Sequence, residues 1–409
     1  RVDGRRRGVT DHQRDCCATM KTIILFFTCF WLFGFTLVAQ TSSVRLAPGF
    51  DPQECDDMLR LNFAFLDTTP GNRFKNFLPN HRFVYRSENI GLDNAWDLWI
   101  RGDSTVVLVL RGTTADPKSI LADFLCSMSP AQGTLILPFG DTIAYQMAAD
   151  KKAAVHTGFL VGFGFVAHDM TPKIDSLYSG GYRDFIITGH SQGGSLCYYV
   201  SAWLYYLDKK GTYPNLRIKT YASAPPKVGN MYFAYDYDNA TRAQWAFSIV
   251  NTADPVPEMP FTTQQVDLDM NEPNPILNLM KRFDNLPFFK RLVLKRAFNR
   301  MRKGAKKSSD AYQKYLGGYT AKFLQNTVPG LAIPPTVNTS YFVRPGVPIT
   351  LTANDAYYNY FQDLAKEGPY YHHNPKAYRY LLRQYYSGLA EIENDHDRTH
   401  IQYPNFVIL

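Results

Sequence analysis

The run Phe185-Ile186-Ile187-Thr188-Gly189-His190-Ser191-Gln192-Gly193-Gly194 constrains this chain more than any other stretch. An apolar strand-like segment leads into Gly-x-Ser-x-Gly, and a second apolar stretch, Leu196 to Leu207, follows it. Strand, tight turn and helix in that order form a nucleophile elbow, which holds the serine on a sharp turn at the top of a sheet. Glycines two residues before and two after relieve the crowding that such a turn creates. Ser191 is therefore a candidate nucleophile. The pentapeptide alone is a weak signal, since a glycine-rich helix start packed on a strand reads the same way.

Strand signals at Arg82–Arg86, Ala95–Ile100 and Thr105–Leu110 precede the elbow, the last two joined by a hairpin-like Arg101-Gly102-Asp103 turn. A helix-like stretch lies near Pro52–Asp67, and Thr113–Lys152 reads as loop-rich. Leu216–Tyr221 and Trp245–Val250 read as further buried strands. Strands alternating with helices predict an α/β fold around a mostly parallel sheet flanked by helices. With 409 residues, 45% hydrophobic and 20% charged, the chain has material for two average domains or one large α/β domain with insertions.

A serine hydroxyl needs a histidine base, and the base needs an acid to fix its tautomer. In this architecture the chain order is Ser, acid, His. Asp254 follows the apolar strand ending at Val250–Asn251 and is stiffened by Pro255 and Pro257, so it is the expected acid. Asp238, Asp267 and Asp269 are rivals with weaker context. His373, in His-Asn-Pro at a helix start, is the expected base. His372 is its rival, and His396 and His400 sit in a charged tail. Two N–H donors must meet the oxyanion. The Gln192 amide follows the nucleophile, and Thr113 lies in the Arg111-Gly112-Thr113-Thr114 turn that closes an apolar strand.

Five ordered motifs then resemble the class 3 (fungal-type) triacylglycerol lipases: Arg111-Gly112-Thr113, Val155–Leu160, Gly189–Gly193, Ala224–Asn230 and Asp254–Pro257, with a weaker match at His373–Leu382. The resemblance implies an α/β-hydrolase fold, carboxylic-ester hydrolysis without cofactor or metal, a Ser191–Asp254–His373 triad and a Thr113–Gln192 oxyanion hole. His156 receives a structural role only. The pattern departs at Lys227, where the family has Arg, and at Ile120-Leu121-Ala122-Asp123, where the family's Trp-x-x-Asp has its aromatic. The long gap from Asp254 to His373 also departs, and it puts substrate class and lid identity in question. Ala115–Gln132 and the insertion at about 265–335 are both lid candidates. Triacylglycerol is the foremost substrate. Aromatic or other non-lipid esters, phospholipids, acyl transfer and a non-catalytic binding role are the alternatives.

The insertion holds a basic segment. Lys281–Lys307 has eleven Lys or Arg against Asp284 alone, a local +10 within a chain of net +8. Leu294, Ala297, Phe298 and Met301 fall on one helical stripe. Such a helix either packs on the body or docks on an anionic lipid surface. No nucleic-acid motif accompanies the charge.

At the amino end, residues 1–19 read as an upstream extension. Met20–Ala39 reads as a signal peptide, with Lys21 ahead of an apolar run to Val38, so secretion after cleavage near Ala39 is expected. Residues 40–409 then form one domain holding Cys55, Cys126 and Cys197, which permits at most one disulfide among them.

Overall fold

The computed structural model describes residues 46–63, 78–362 and 370–389. The leader region and His396 and His400 lie outside them. Helix α1 (Pro52–Phe63) comes first, then strands β1 (His81–Arg86), β2 (Trp96–Arg101) and β3 (Val106–Leu110). Helix α2 (Pro117–Phe124), strand β4 (Met128–Pro130), the hairpin β5 (Gln132–Ile136) and β6 (Thr142–Gln146), and β7 (Ala154–His156) lead into α3 (Thr157–Ser179). The central elements are β8 (Asp184–His190), α4 (Gln192–Lys209), β9 (Arg217–Ser223), α5 (Met231–Thr241) and β10 (Ala246–Asn251). The insertion carries α6 (Pro275–Arg282), α7 (Phe288–Ala311), a π-helical stretch 312–319 and α8 (Thr320–Thr327). Strand β11 (Val347–Leu351), α9 (Asp355–Phe361) and α10 (Pro375–Tyr385) follow.

The main sheet runs β1-β2-β3-β8-β9-β10-β11. The first three strands are antiparallel neighbours, and β3 through β11 are parallel. Parallel strands covered by helices on both faces bury side chains on both. In β3, Val106, Leu108 and Leu110 point into one core with α3 and α4, while Val107 and Val109 join the other. That second core takes Met58 and Leu59 of α1 and Ala377, Tyr378, Leu381 and Leu382 of α10. A buried ion pair, Arg379 to Asp56 at 2.9 Å, fixes α10 to α1 across the chain. The sequence-level fold class holds: this is an α/β-hydrolase fold, with the serine at the β8–α4 turn of a mostly parallel sheet.

Two readings need correction, and the cysteine question left open by the sequence is answered. Thr113–Lys152 is structured, with a helix and a hairpin. Asp116 caps α2 by accepting from the Lys118 amide at 2.8 Å, and Pro117 opens its first turn. Cys55, Cys126 and Cys197 are free, buried thiols with no disulfide among them. The Leu294–Met301 stripe is not what holds α7 to the body: Leu294 and Met301 are exposed. Ionic contacts on another face do that, as described below.

Candidate active site

Ser191 sits between β8 and α4 at φ 62°, ψ −129°. A non-glycine residue there stores strain of order 1–3 kcal/mol, which the flanking packing must hold. The packing is tight. A Cβ on Gly189 would lie 2.4 Å from the Gly193 carbonyl carbon, and one on Gly193 would lie 2.1 Å from the Leu110 carbonyl oxygen. The elbow is thus wedged against the end of β3, whose Leu110 pairs with Gly189. That register brings the Arg111–Thr113 loop beside the serine, and a Cβ on Gly112 would lie 3.3 Å from the Ser191 Cβ. Gln192 opens α4, so its amide has no acceptor within the helix and lies at the positive end of the helix dipole.

Thr113 and Gln192 meet through a third residue. Thr113 Oγ1 donates to Asp123 Oδ2 at 2.9 Å, and Gln192 Nε2 donates to Asp123 Oδ1 at 2.8 Å. Gln192 Nε2 also reaches the Ser119 carbonyl at 3.2 Å. Asp123 on α2 therefore ties both oxyanion candidates to one carboxylate.

On the other side, β10 ends at Asn251 and the chain turns through Asp254, whose Oδ1 accepts from the Val256 amide at 2.9 Å. His373 lies in a single turn, Tyr371–His373, ahead of α10. Its Nδ1 donates to Asp254 Oδ2 at 2.7 Å across 119 residues of sequence. That fixes the neutral ring with its proton on Nδ1 and leaves Nε2 as the acceptor. His373 Nε2 is buried, and among the described residues neither it nor Ser191 Oγ makes a hydrogen bond.

Residues 107–264 match the family described as lipase (class 3). This span contains the elbow, the Thr113 loop and Asp254, in the order that the family motifs require. The chain is 27% identical over 198 residues to a lipase of Rhizopus niveus, covering 47% of this chain and 45% of that one. It is 33% identical over 107 residues to the secreted mono- and diacylglycerol lipase 1 of Fusarium solani, covering 26% and 29%. The chain thus spans less than half the length of these curated relatives. The solved lipase II of Rhizopus niveus aligns at 24% identity and a TM-score of 0.38, over 51% of this chain and 75% of that one.

Two residues, one inside the matched segment and one beyond it, escaped sequence reading. His190, inside the elbow motif, donates from Nε2 to the His373 carbonyl at 2.6 Å, and its Nδ1 accepts from the Ser223 hydroxyl at 3.0 Å. Desolvation, with the neighbouring His373 adding to it, lowers the His190 pKa to about 3, so its ring is neutral. The His190 and His373 rings lie 4.7 Å apart. Tyr378, buried on α10, donates to Asp254 Oδ2 at 2.6 Å. Its signal in sequence was only its place one helical turn past the histidine.

The rivals are engaged elsewhere. His372 Nδ1 pairs with the Tyr357 hydroxyl at 2.6 Å. Asp238 accepts from the Gly346 amide at 2.7 Å, Asp267 pairs with Arg302, and Asp269 accepts from Thr339 and the Gln265 amide. His156 is fully buried and caps α3, accepting from the Phe159 amide at 3.3 Å.

The electrostatics divide the two acids of the site. Burial alone would raise the Asp254 pKa, but the His373 charge and hydrogen bond, with the Tyr378 and Val256 donors, outweigh it and hold Asp254 below the ordinary carboxylate value. Asp123 has no ion pair among the described residues. Desolvation raises its pKa to about 6, only partly offset by the Gln192 and Thr113 hydrogen bonds and, least of all, by the charge of His373.

Proposed function

We propose that the protein is a secreted serine carboxylic-ester hydrolase acting on lipid esters, with triacylglycerol the foremost substrate. The observation that carries this reading is the His373–Asp254 pair, which leaves a buried, unbonded Nε2 on a histidine that packs against His190 of the elbow. His373 Nε2 takes the Ser191 proton as Oγ attacks the ester carbonyl. The Gln192 amide and Thr113 receive the oxyanion. The tetrahedral species collapses, the alcohol leaves with the proton from His373, and Ser191 carries the acyl group. Water, deprotonated by His373, then attacks the acyl-enzyme and the acid departs.

The substrate class draws on the relatives, one of which is named for mono- and diacylglycerols. That relative's name and the Met20–Ala39 segment together support secretion. The basic segment Lys281–Lys307 supports work at an oil–water or membrane boundary, in contact with anionic lipid. Ser191→Ala should abolish release of p-nitrophenol from short acyl esters, and a fluorophosphonate probe should label Ser191 in the wild type. Unchanged turnover in Ser191→Ala rejects the proposal. A panel of emulsified triglyceride and soluble aromatic esters, run above and below emulsion formation, separates a lipase from an esterase for soluble substrates.

A further inference from the structure

Helix α7 divides its side chains in a way that its charge count hides. One face is tied to the protein. Lys295 pairs with Asp284, Arg302 Nε donates to Asp267 at 3.0 Å, Ser308 meets Thr263 at 3.1 Å, and Ser309 is buried against Gln265. The opposite face changes character along its length. Phe289 and Val293, at i and i+4, head that face, with Leu292 and Phe288 on its flank, and all four are between 52% and 78% exposed. Four large apolar side chains left in water on two adjacent turns form a patch that soluble surfaces rarely carry without a partner. The same face continues as Arg296, Arg300, Lys303 and Lys307. None of these four has an ion pair among the described residues.

We infer that this face of α7 docks on an anionic lipid surface in a fixed polarity. Its first two turns enter the acyl region through Phe288, Phe289, Leu292 and Val293. Its later turns hold headgroup phosphates with Arg296, Arg300, Lys303 and Lys307. Apolar insertion and charge attraction add in such a helix, and an apolar-then-basic gradient sets it at a slant with its N-terminal end deeper. The acidic residues that would compete for the cations are already paired: Asp284 with Lys295, Asp267 with Arg302, and Asp310, on α7 itself, with Lys306. Helix α7 runs on through 312–319 into α8, whose Leu324 packs with Ala122 and Leu125 at α2. Helix α2 carries Asp123, so a continuous helical segment from the docking face packs against the helix that holds the oxyanion candidates. The inference rests on the lipid-ester reading for its purpose, and its geometry stands apart from it.

The test uses the full chain and sedimentation with vesicles of phosphatidylcholine alone or mixed equally with phosphatidylglycerol. The wild type should favour the anionic vesicles. The combined Arg296→Gln, Arg300→Gln, Lys303→Gln, Lys307→Gln variant should lose that preference, a drop of roughly a hundredfold to a thousandfold at about 1 kcal/mol per cation. Phe289→Ser with Val293→Ser should weaken binding to the anionic vesicles and leave what remains strongly salt-sensitive. Leu292→Trp in an otherwise native chain gives a second readout. Its emission should be quenched by brominated acyl chains in anionic vesicles. Equal binding by the wild type and the basic variant, or an unquenched Trp, overturns the inference. A lipid-free dimer that the Ser variants dissociate also overturns it and assigns the face to a second copy. Vesicle binding by Ser191→Ala and soluble-ester turnover by the wild type are read separately, so failure of the docking and failure of the chemistry are distinct results.

Discussion

The Tyr378 hydroxyl donates to Asp254 Oδ2 at 2.6 Å, the same oxygen that accepts from His373 Nδ1 at 2.7 Å. Two donors on one carboxylate oxygen fix where the ring sits as well as its tautomer. Hydrogen bonds to a charged group contribute about 1.5–3 kcal/mol. Tyr378→Phe should therefore lower kcat on a soluble ester about tenfold, with KM nearly unchanged. Asp254→Asn, which removes the charge itself, should cost on the order of 10⁴-fold. A Phe variant with wild-type kcat would remove Tyr378 from the positioning of the base.

Asp123 makes a pH prediction of its own. Its pKa in the folded protein is raised from the ordinary carboxylate range to about 6, through desolvation above all. Its contribution to stability is thus fully present below about pH 4, where the unfolded chain also begins to hold the proton, and is lost as pH rises through about 6. Asp57 has a similarly raised value, so the comparison must be with a variant rather than with pH alone. In urea denaturation, Asp123→Asn should flatten the fall in stability between pH 4 and pH 6 relative to the wild type. The same variant should lose about tenfold in kcat at neutral pH, because one amide cannot accept from both Thr113 and Gln192 as the carboxylate does. Parallel stability curves for the two proteins would show that Asp123 titrates normally.

The sheet was readable because its strands are short apolar runs punctuated by turns, and because Gly-x-Ser-x-Gly has one structural context that suits it. Asp254 was readable for the same reason: an apolar strand ends and two prolines follow. The partners that tune the site were not readable in this way. His190 meets the His373 carbonyl across 183 residues, and Gln192 meets Asp123 across 69. Such pairs are set by packing, on which local pattern is silent. Asp123 closes the Ile120–Asp123 motif, and nothing local in the sequence ties it to Thr113. Helix α2 did carry its own signals, Asp116 then Pro117, within a stretch dominated by turn residues. In α7 the period identified a helix, but Leu294 and Met301 proved exposed. Period reports that a helix has stripes, whereas the ion pairs of Lys295 and Arg302 decide which one faces the body.

Glycine substitutions should separate close approach from ordinary helix propensity. A Cβ on Gly193 would sit 2.1 Å from the Leu110 carbonyl oxygen, a backbone atom inside the sheet that cannot swing aside. Gly193→Ala should destabilise by at least about 3 kcal/mol, and the elbow should lose probe labelling with it. Gly304, within α7, has open space around its Cβ position. Gly304→Ala should stabilise by roughly 0.5–1 kcal/mol through helix propensity. Both are read from urea midpoints. A tolerated Gly193→Ala would mean that the elbow is looser than its contacts require.

His190 should position the base without titrating beside it. Its pKa is lowered to about 3, so it is neutral at and well below neutral pH, with its Nε2 proton on the His373 carbonyl and its Nδ1 facing Ser223. His190→Ala leaves that carbonyl and the Ser223 hydroxyl without these partners, and kcat should fall about tenfold. His190→Gln, whose amide can donate to the same carbonyl, should recover part of the loss. The pH–rate profile should keep its midpoint in both variants, because the His190 ring is already neutral and carries no charge to lose. A midpoint displaced by more than about one unit would instead mean that the two rings share a proton, and His190 would then belong to the proton-transfer machinery.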